Sequence, residues 1–197
     1  MHAIVFLVDR AVMSFFVDHR TPGLTAAAVI LDFIGSVYGI GLMLLCLTVW
    51  LWRKDERWAV NLALGTIGLV FLVELIKIGV ARPRPQDQLF IEHNFSFPSS
   101  HSTLAVFFFG WLTVIVSRYA RPAFRSAAMV VLPVLILLIG LSRIYLGAHW
   151  PSDVIAGFCL GSGALLYSLR RVRILLPSLA VRAIDDDDKS RSAAADH

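Results

Sequence analysis

Three short polar segments interrupt an otherwise apolar stretch of the sequence. They comprise residues 77–85 (KIGVARPRP), 97–101 (FPSSH) and 142–153 (SRIYLGAHWPSD). Together they contain four cationic side chains, two histidines and one carboxylate. Such side chains are suited to binding a phosphate group and attacking its phosphorus atom. We therefore interpret the three segments as one site, a phosphate-binding cradle that contains a nucleophilic histidine.

The cationic side chains of these segments are the predicted phosphate ligands. Lys77 and Arg143 each end an apolar run, and Arg84 follows Lys77 by seven residues. Arginine offers a planar fork of donors to a phosphate group, whereas lysine supplies a compact charge. Any one of them alone could instead extend to the membrane interface, but three beside two histidines favour a site. Of Arg82 and Arg84, only one needs to face the phosphate group.

The two histidines suggest two catalytic roles. His149 and Asp153 are four residues apart, with Pro151 expected in the first turn of a helix. Asp153 can then reach back to one imidazole nitrogen, fix the tautomer and leave the other nitrogen available for attack. His101 lies in a different segment, directly after two serines that can cap a helix whose free N–H groups favour an anion. A histidine there suits a general acid that protonates the leaving group.

The composition of the chain predicts a membrane protein. Of 197 residues, 57% are hydrophobic and only 16% are charged, and the mean hydropathy is +0.73. Soluble domains contain about 25% charged residues. The net charge is +4. Cys46 and Cys159 lie within apolar runs, so we expect them to be buried packing residues and not a disulfide.

The elements that must position the site are helices, and we predict an all-α, polytopic membrane bundle. Residues 1–22 contain no apolar run long enough to cross a bilayer and fit an interfacial N-terminal helix. We expect an interfacial approach from residue 24 to a break at Gly35-Ser36. About five transmembrane helices follow, at roughly 36–52, 59–80, 102–118, 127–146 and 152–169.

The distribution of Lys and Arg predicts the orientation of the bundle. The arginine-rich stretches near residues 53–57, 118–125 and 170–173 alternate so that all three share one side of the membrane. By the positive-inside rule that side is cytoplasmic. The three polar segments then lie on the extracytoplasmic face, and five spans also place the N-terminus there.

The order and spacing of the polar residues resemble a known family. Lys77 to Arg84-Pro85, then Pro98-Ser99-Ser100-His101, then Ser142-Arg143 through His149 to Asp153 resemble the signature of the type 2 phosphatidic acid phosphatases. The resemblance covers about residues 60–169. It departs from the family pattern at Ser100, where a glycine is usual. Many bacterial members have six spans, so a first helix is missing or its role falls to the interfacial N-terminus.

The resemblance implies a role for each catalytic residue. His149 is the nucleophile that forms a phosphohistidine, Asp153 orients it, and His101 is the acid. No metal ion and no other cofactor is expected, because cations perform the charge neutralisation that metals perform elsewhere. The last span is expected to pack closely through small residues, namely Ala156, Gly157, Gly161 and Gly163.

The resemblance also implies how the phosphate group is held. Lys77, Arg84 and Arg143 are expected to bind it, helped by Ser99 and by backbone amides that include the amide of Ser100. The Ser100 side chain would narrow the pocket relative to glycine.

The implied substrate is a lipid phosphate that enters from the bilayer. We favour undecaprenyl diphosphate or a related isoprenoid phosphate. The alternatives are phosphatidylglycerophosphate, phosphatidate and lipid A phosphates, and, in a different class, a transporter or binding protein that holds a phosphorylated ligand without turnover. A vanadium-dependent haloperoxidase is a further alternative, because such enzymes resemble this family in their anion pocket. They are soluble, however, and the five apolar spans argue against this alternative. No nucleic-acid partner and no obligate protein partner is expected, and the predicted location is the inner or plasma membrane.

The domain organisation is expected to be simple. Residues 1–184 form a single integral-membrane phosphatase domain without a cleavable signal peptide, because Asp9 and Arg10 end the first apolar run. Residues 185–197 begin with DDDDK, an enteropeptidase cleavage sequence, and are interpreted as a tag or cloning remnant.

Overall fold

The computed structural model of the protein describes residues 2–172, and every regular element in that range is a helix. The helices are α1 (His2–Asp18), α2 (Pro22–Gly35), α3 (Val37–Trp52), α4 (Glu56–Val80), α5 (Ser100–Tyr119), α6 (Pro122–Tyr145) and α7 (Pro151–Val172). Helices α4 to α7 are each long and apolar enough to cross a membrane, and α2 with α3 forms a fifth candidate span. The predicted all-α membrane bundle is therefore confirmed. The tag expected at 185–197 lies outside the described residues.

A bend of 49° separates α2 from α3 at Ser36. The Ser36 hydroxyl accepts a hydrogen bond from Gly39 N at 3.0 Å and donates one to Phe33 O at 2.8 Å, so it caps α3 while it contacts the end of α2. A Cβ on Gly39 would collide with the Phe33 carbonyl oxygen. The break lies where the sequence predicted it, and the residues before it form a regular helix packed against α6. The interfacial position expected for these residues stays a prediction.

Helix α5 is the centre of the bundle, because it packs against α2, α3, α4 and α6. Its aromatic side chains Phe107, Phe108 and Trp111 are fully buried, and the Trp111 indole donates a hydrogen bond to Ser168 Oγ on α7 at 3.1 Å. The outer surface of the bundle is apolar as well. Along α4 the exposed apolar side chains include Leu64, Ile67, Phe71 and Leu75. Apolar side chains inside and outside are typical of a bundle whose solvent is lipid.

Two glycines of α7 allow this helix to approach α5 closely. A Cβ on Gly157 would lie 2.7 Å from Ser99 O, and one on Gly161 would lie 2.5 Å from Thr103 O. The prediction of close packing is confirmed at these two positions. It is wrong for Gly163, which is exposed and where a Cβ would meet no atom within 4 Å. Ala156 is only half-buried.

The two cysteines lie on the surface of the bundle. Cys46 on α3 and Cys159 on α7 are both free thiols, as expected, but both are exposed. The prediction that they are buried was wrong, because an apolar run in a membrane helix has a lipid-facing side as well as a packed side.

The polar segments meet at one end of the bundle. Between α4 and α5 the chain runs without regular structure from residue 81 to 99, and its backbone is hydrogen-bonded to the α6–α7 connection and to the first turn of α7. Leu89 N donates to Leu146 O at 3.0 Å, and Ser99 N donates to Asp153 O at 3.1 Å. Helix α1 lies beside the same connection, where Met13 packs against Ile144 and Val154.

Candidate active site

The fold brings the predicted histidine and one predicted cation into contact. His149 lies just before α7 and is 1% exposed. Its Nε2 atom is 3.3 Å from Nη1 of Arg84, which also donates a hydrogen bond to the Ala148 carbonyl at 2.6 Å. The sequence had named Arg84 as a phosphate ligand and had left the role of Arg82 open. In the structure Arg84 faces the histidine, whereas Arg82 turns to Asp153.

His149 and Asp153 are adjacent, as their spacing predicts, but they are not hydrogen-bonded. The distance from His149 Nδ1 to Asp153 Oδ2 is 3.7 Å, and Nδ1 has no hydrogen-bond partner among the described residues. Asp153 is fully buried and its two oxygens have other donors: Oδ2 accepts from Trp150 N at 2.9 Å and Oδ1 accepts from Arg82 at 2.5 Å. The carboxylate is therefore anchored on both sides, within reach of the imidazole after a small movement.

The environment of His149 favours the neutral imidazole. Burial holds the pKa of His149 well below its usual value, and repulsion by Arg143 and Arg84 lowers this pKa further, while Glu92 opposes the effect. At pH 7 the side chain is therefore uncharged. An unprotonated imidazole nitrogen beside a guanidinium can act as a nucleophile toward a phosphorus atom.

Arg143 is held by two carboxylates that sequence reasoning missed as site residues. It is 2% exposed, and its two terminal nitrogens donate to Asp32 on α2 and to Glu92 in the α4–α5 connection. Asp32 carries a signal that could have identified it, since it is the one charged residue in the apolar stretch 24–52. Glu92 has no such signal, because it lies in a polar connection.

Glu92 links the two arginines of the site. Its carboxylate contacts Arg143 through Oε1 and Arg84 through Oε2, the latter at 2.7 Å. Burial alone would raise the pKa of Glu92, but Arg143 and Arg84 outweigh this effect and lower it below the usual value. Glu92 is thus a carboxylate at neutral pH. Burial also lowers the pKa of Arg84 from its ordinary value, although an arginine remains charged at any physiological pH.

His101 lies in the first turn of α5, opposite Asp32. Its Nε2 atom is 3.3 Å from Asp32 Oδ1. Ser99 caps α5, because its hydroxyl accepts from Ser102 N at 3.4 Å and from Ser102 Oγ at 3.0 Å. The Ser100 hydroxyl is buried and has no hydrogen-bond partner within residues 2–172. The expected helix cap is therefore present, and the first turn of α5 carries His101.

Lys77 completes the cationic set at the end of α4. It is 3% exposed, and its Nζ atom forms an ion pair with Glu74 at 3.2 Å. A further residue of this end of the bundle is Asp9 of α1, which is buried and accepts a hydrogen bond from Arg82 at 2.7 Å. The sequence alone identified Asp9 only as a residue that ends an apolar run.

The described residues contain no group of three or more His, Cys, Asp or Glu side chains arranged to hold a metal ion. The expectation of metal independence remains a prediction.

A family model supports the resemblance seen in the motifs. The model described as the PAP2 superfamily matches residues 58–175, which is more than half of the chain and includes all three polar segments. Asp9 and Asp32 lie outside the matched residues.

Several characterised relatives carry phosphatase names. The chain is 33% identical over 168 residues to the decaprenylphosphoryl-5-phosphoribose phosphatase of Mycobacterium tuberculosis, covering 81% of this chain and 86% of the relative. It is 34% identical over 93 residues to phosphatidylglycerophosphatase B of Bacillus subtilis, covering 46% of each. It is 42% identical over 67 residues to the lipid A 1-phosphatase of Rhizobium johnstonii, covering 34% of this chain and 24% of the relative. The chain thus spans less than half the length of the latter two.

Two solved structures share the architecture. The transmembrane PAP2 type phosphatidylglycerolphosphate phosphatase from Bacillus subtilis superposes with a TM-score of 0.80 at 24% identity, covering 86% of this chain and 87% of that one. This likeness concerns the fold. LpxE of Aquifex aeolicus superposes with a TM-score of 0.64 at 26% identity, covering 80% of this chain and 92% of that one.

Proposed function

Because the chain belongs to the PAP2 superfamily, we propose that it is an integral-membrane lipid phosphatase with a histidine nucleophile. The observation that carries the proposal is the contact between His149 Nε2 and the Arg84 guanidinium at 3.3 Å. A phosphate oxygen bound by Arg84 would bring its phosphorus atom next to the nitrogen that attacks it.

The proposed reaction has two steps. In the first, His149 Nε2 forms a bond to phosphorus while the bond from phosphorus to the lipid oxygen breaks, and His101 gives its proton to that oxygen. In the second, water attacks the phosphohistidine, the N–P bond breaks, and His101 takes up the proton of the water. Asp153 lies 3.7 Å from Nδ1 and would stabilise the positive charge that develops on the imidazole.

Three cations are proposed to neutralise the phosphate group. Arg84 and Arg143 are linked through Glu92, so they already lie on either side of one small anion, the Glu92 carboxylate. Lys77 adds a third charge, and the start of α5 offers backbone N–H groups near Ser99 and Ser100. With this charge fixed in place, the reaction needs no metal ion and no other cofactor.

The proposed substrate is an isoprenoid phosphate or diphosphate such as undecaprenyl diphosphate. The mycobacterial relative supports this class, because it is named for a decaprenyl-linked phosphate and the chain covers most of its length. Phosphatidylglycerophosphate and lipid A phosphates are alternatives that match the names of the other two relatives, and phosphatidate is a further alternative. The substrate would enter from the bilayer at the extracytoplasmic face of the plasma membrane, without a nucleic acid or an obligate protein partner.

The test is phosphate release by the purified protein in detergent with EDTA present. The substrates are undecaprenyl diphosphate, phosphatidylglycerophosphate, phosphatidate and a lipid A phosphate, compared by kcat/KM. We expect turnover in EDTA, with the isoprenoid substrate preferred, and loss of activity by several orders of magnitude in His149→Ala.

Each contrary result has a distinct meaning. Binding of the lipids without phosphate release from any of them would favour the non-catalytic phosphate-binding protein. Activity that EDTA abolishes and magnesium restores would contradict the metal-free reaction, and His149→Ala within tenfold of wild type would contradict the nucleophile.

A further inference from the structure

A buried carboxylate on the N-terminal helix is connected by hydrogen bonds to the histidine–aspartate pair. Asp9 of α1 is 1% exposed, although it belongs to a helix whose neighbouring residues are largely exposed. A carboxylate is rarely buried unless its charge is paired. Asp9 is paired: its Oδ2 atom accepts from Arg82 Nη2 at 2.7 Å and from Ser152 Oγ at 2.6 Å.

Arg82 connects this carboxylate to Asp153. One terminal nitrogen of Arg82 donates to Asp9, and the other donates to Asp153 Oδ1 at 2.5 Å and to Ser152 Oγ at 2.7 Å. The guanidinium also lies 5.7 Å from the centroid of the Trp150 ring. Arg82 therefore links the Asp153 side chain to Asp9 by direct hydrogen bonds.

Asp9 also holds the first turn of α7. Its Oδ1 atom accepts from Ser152 N at 2.9 Å, one of the backbone N–H groups that has no partner within its own helix. Such a contact is usually supplied by a residue at the start of the same helix, whereas here another helix supplies it. The turn that Asp9 fixes contains Asp153 and follows directly after His149.

From these contacts we infer that Asp9 is a positioning residue for catalysis, which acts on the His149–Asp153 pair through Arg82 and Ser152. The inference rests on the proposed function, and it adds a residue of α1 to a site whose family motifs all lie between residues 77 and 153. Asp153 has to approach His149 Nδ1 from 3.7 Å as charge develops on the imidazole. The hydrogen bonds that connect Asp9 with Arg82 and Ser152 set the direction of that approach.

The test compares kcat and KM of Asp9→Ala, Asp9→Asn, Arg82→Met and the double variant Asp9→Ala/Arg82→Met. We expect Asp9→Ala to lower kcat on the order of 10²-fold with KM nearly unchanged, because misplacement of a catalytic group affects the chemical step. The double variant should lose less than the product of the two single losses, since both changes break the contact between Asp9 and Arg82. Asp9→Asn keeps the shape of the side chain but removes its charge. It replaces Asp9→Ala in the comparison of kcat and KM if Asp9→Ala does not fold.

The matched control is Asp18→Asn, which changes an exposed carboxylate of the same helix and should leave kcat as in the wild type. If the folded fraction of Asp9→Ala and Asp9→Asn turns over at the wild-type rate, Asp9 only attaches α1 and the inference is wrong. Losses that multiply in the double variant would also overturn it. His149→Ala in the same assay separates the two proposals. If His149→Ala is active, the proposed nucleophile is wrong. If His149→Ala is inactive while Asp9→Asn has wild-type activity, only the inference about Asp9 is wrong.

Discussion

Arg143 divides its guanidinium between two carboxylates that belong to different elements. One terminal nitrogen contacts Asp32 on α2 and the other contacts Glu92 in the α4–α5 connection, and the side chain is fully enclosed. A planar fork can hold two anionic oxygens at fixed positions, whereas an ammonium group on a flexible stem cannot. The geometry of this side chain, beyond its charge, therefore determines how a phosphate group would be oriented.

Replacing Arg143 by lysine tests this geometry. We expect Arg143→Lys to keep the protein folded but to lower kcat/KM by about 10²-fold or more, as the loss of one preorganised donor does at other anion sites. The measurement is steady-state phosphate release at several substrate concentrations, with melting temperature as the check on folding. Normal turnover in Arg143→Lys would mean that this arginine contributes charge alone.

The buried state of His149 predicts the pH dependence of the reaction. Burial and the nearby arginines lower the pKa of His149, so the neutral, nucleophilic form persists to lower pH than in an ordinary histidine. We expect kcat/KM to fall only below the usual histidine value of 6.5. Removal of the exposed His93 by His93→Ala should not move this midpoint. A midpoint at or above 6.5 would show that the lowered pKa does not govern catalysis.

At the scale of elements, the approach of α7 to α5 depends on particular glycines. Gly161 lies against the Thr103 carbonyl, whereas Gly163, two residues further along the same helix, faces open space. The same change at the two positions therefore separates packing from helix propensity. Alanine is better than glycine in a helix by roughly 1 kcal/mol, but only where its methyl group has room.

We expect Gly161→Ala to be destabilising by about 1–3 kcal/mol, as overpacking of a tight interface usually is. Gly163→Ala should leave stability unchanged or raise it slightly. The readout is the melting temperature of the purified protein in one detergent, with activity measured in parallel because α7 begins with the Asp153 turn. Equal melting temperatures for the two variants would contradict the close contact between α5 and α7.

The sequence predicted the elements well, because hydropathy decides where a membrane helix lies. The break at Ser36, the four long helices α4 to α7 and the fifth candidate span formed by α2 with α3 follow from the apolar runs and the residues that interrupt them. The lipid-facing side of each helix could not be predicted, since apolar residues occupy both faces. For that reason Cys46 and Cys159 were placed inside the bundle and Gly163 in a contact, although all three are exposed.

Only part of the site could be predicted from the sequence, namely the residues that lie within the three polar segments. Local spacing identifies His149 with Asp153, and residue type together with the family pattern identifies Lys77, Arg84 and Arg143. The carboxylates that hold the arginines cannot be inferred from spacing, because Arg143 pairs with a residue 111 positions away and Arg82 with one 73 positions away. Such pairs depend on which helix faces lie together, and only the three-dimensional structure supplies that.

At the scale of the whole molecule, the two ends of the bundle differ in chemistry. The end that carries the site has cations enclosed by carboxylates, as at Arg82 between Asp9 and Asp153. At the other end, Arg53, Arg57 and Arg121 are exposed. Exposed arginines at helix ends follow the positive-inside rule, whereas enclosed cations belong to a site and carry no orientation signal. The site end is therefore predicted to be extracytoplasmic.

Accessibility of single cysteines in intact cells tests this orientation. In a background with Cys46→Ser and Cys159→Ser, we expect Phe90→Cys to react with a membrane-impermeant maleimide, because residue 90 is exposed in the connection over the site. Lys54→Cys, which is exposed at the opposite end, should react only after the cells are permeabilised. Labelling of both variants in permeabilised cells is the control that shows that both thiols are reactive. The reverse pattern would place the site in the cytoplasm and would exclude lipid carriers of the outer leaflet as substrates.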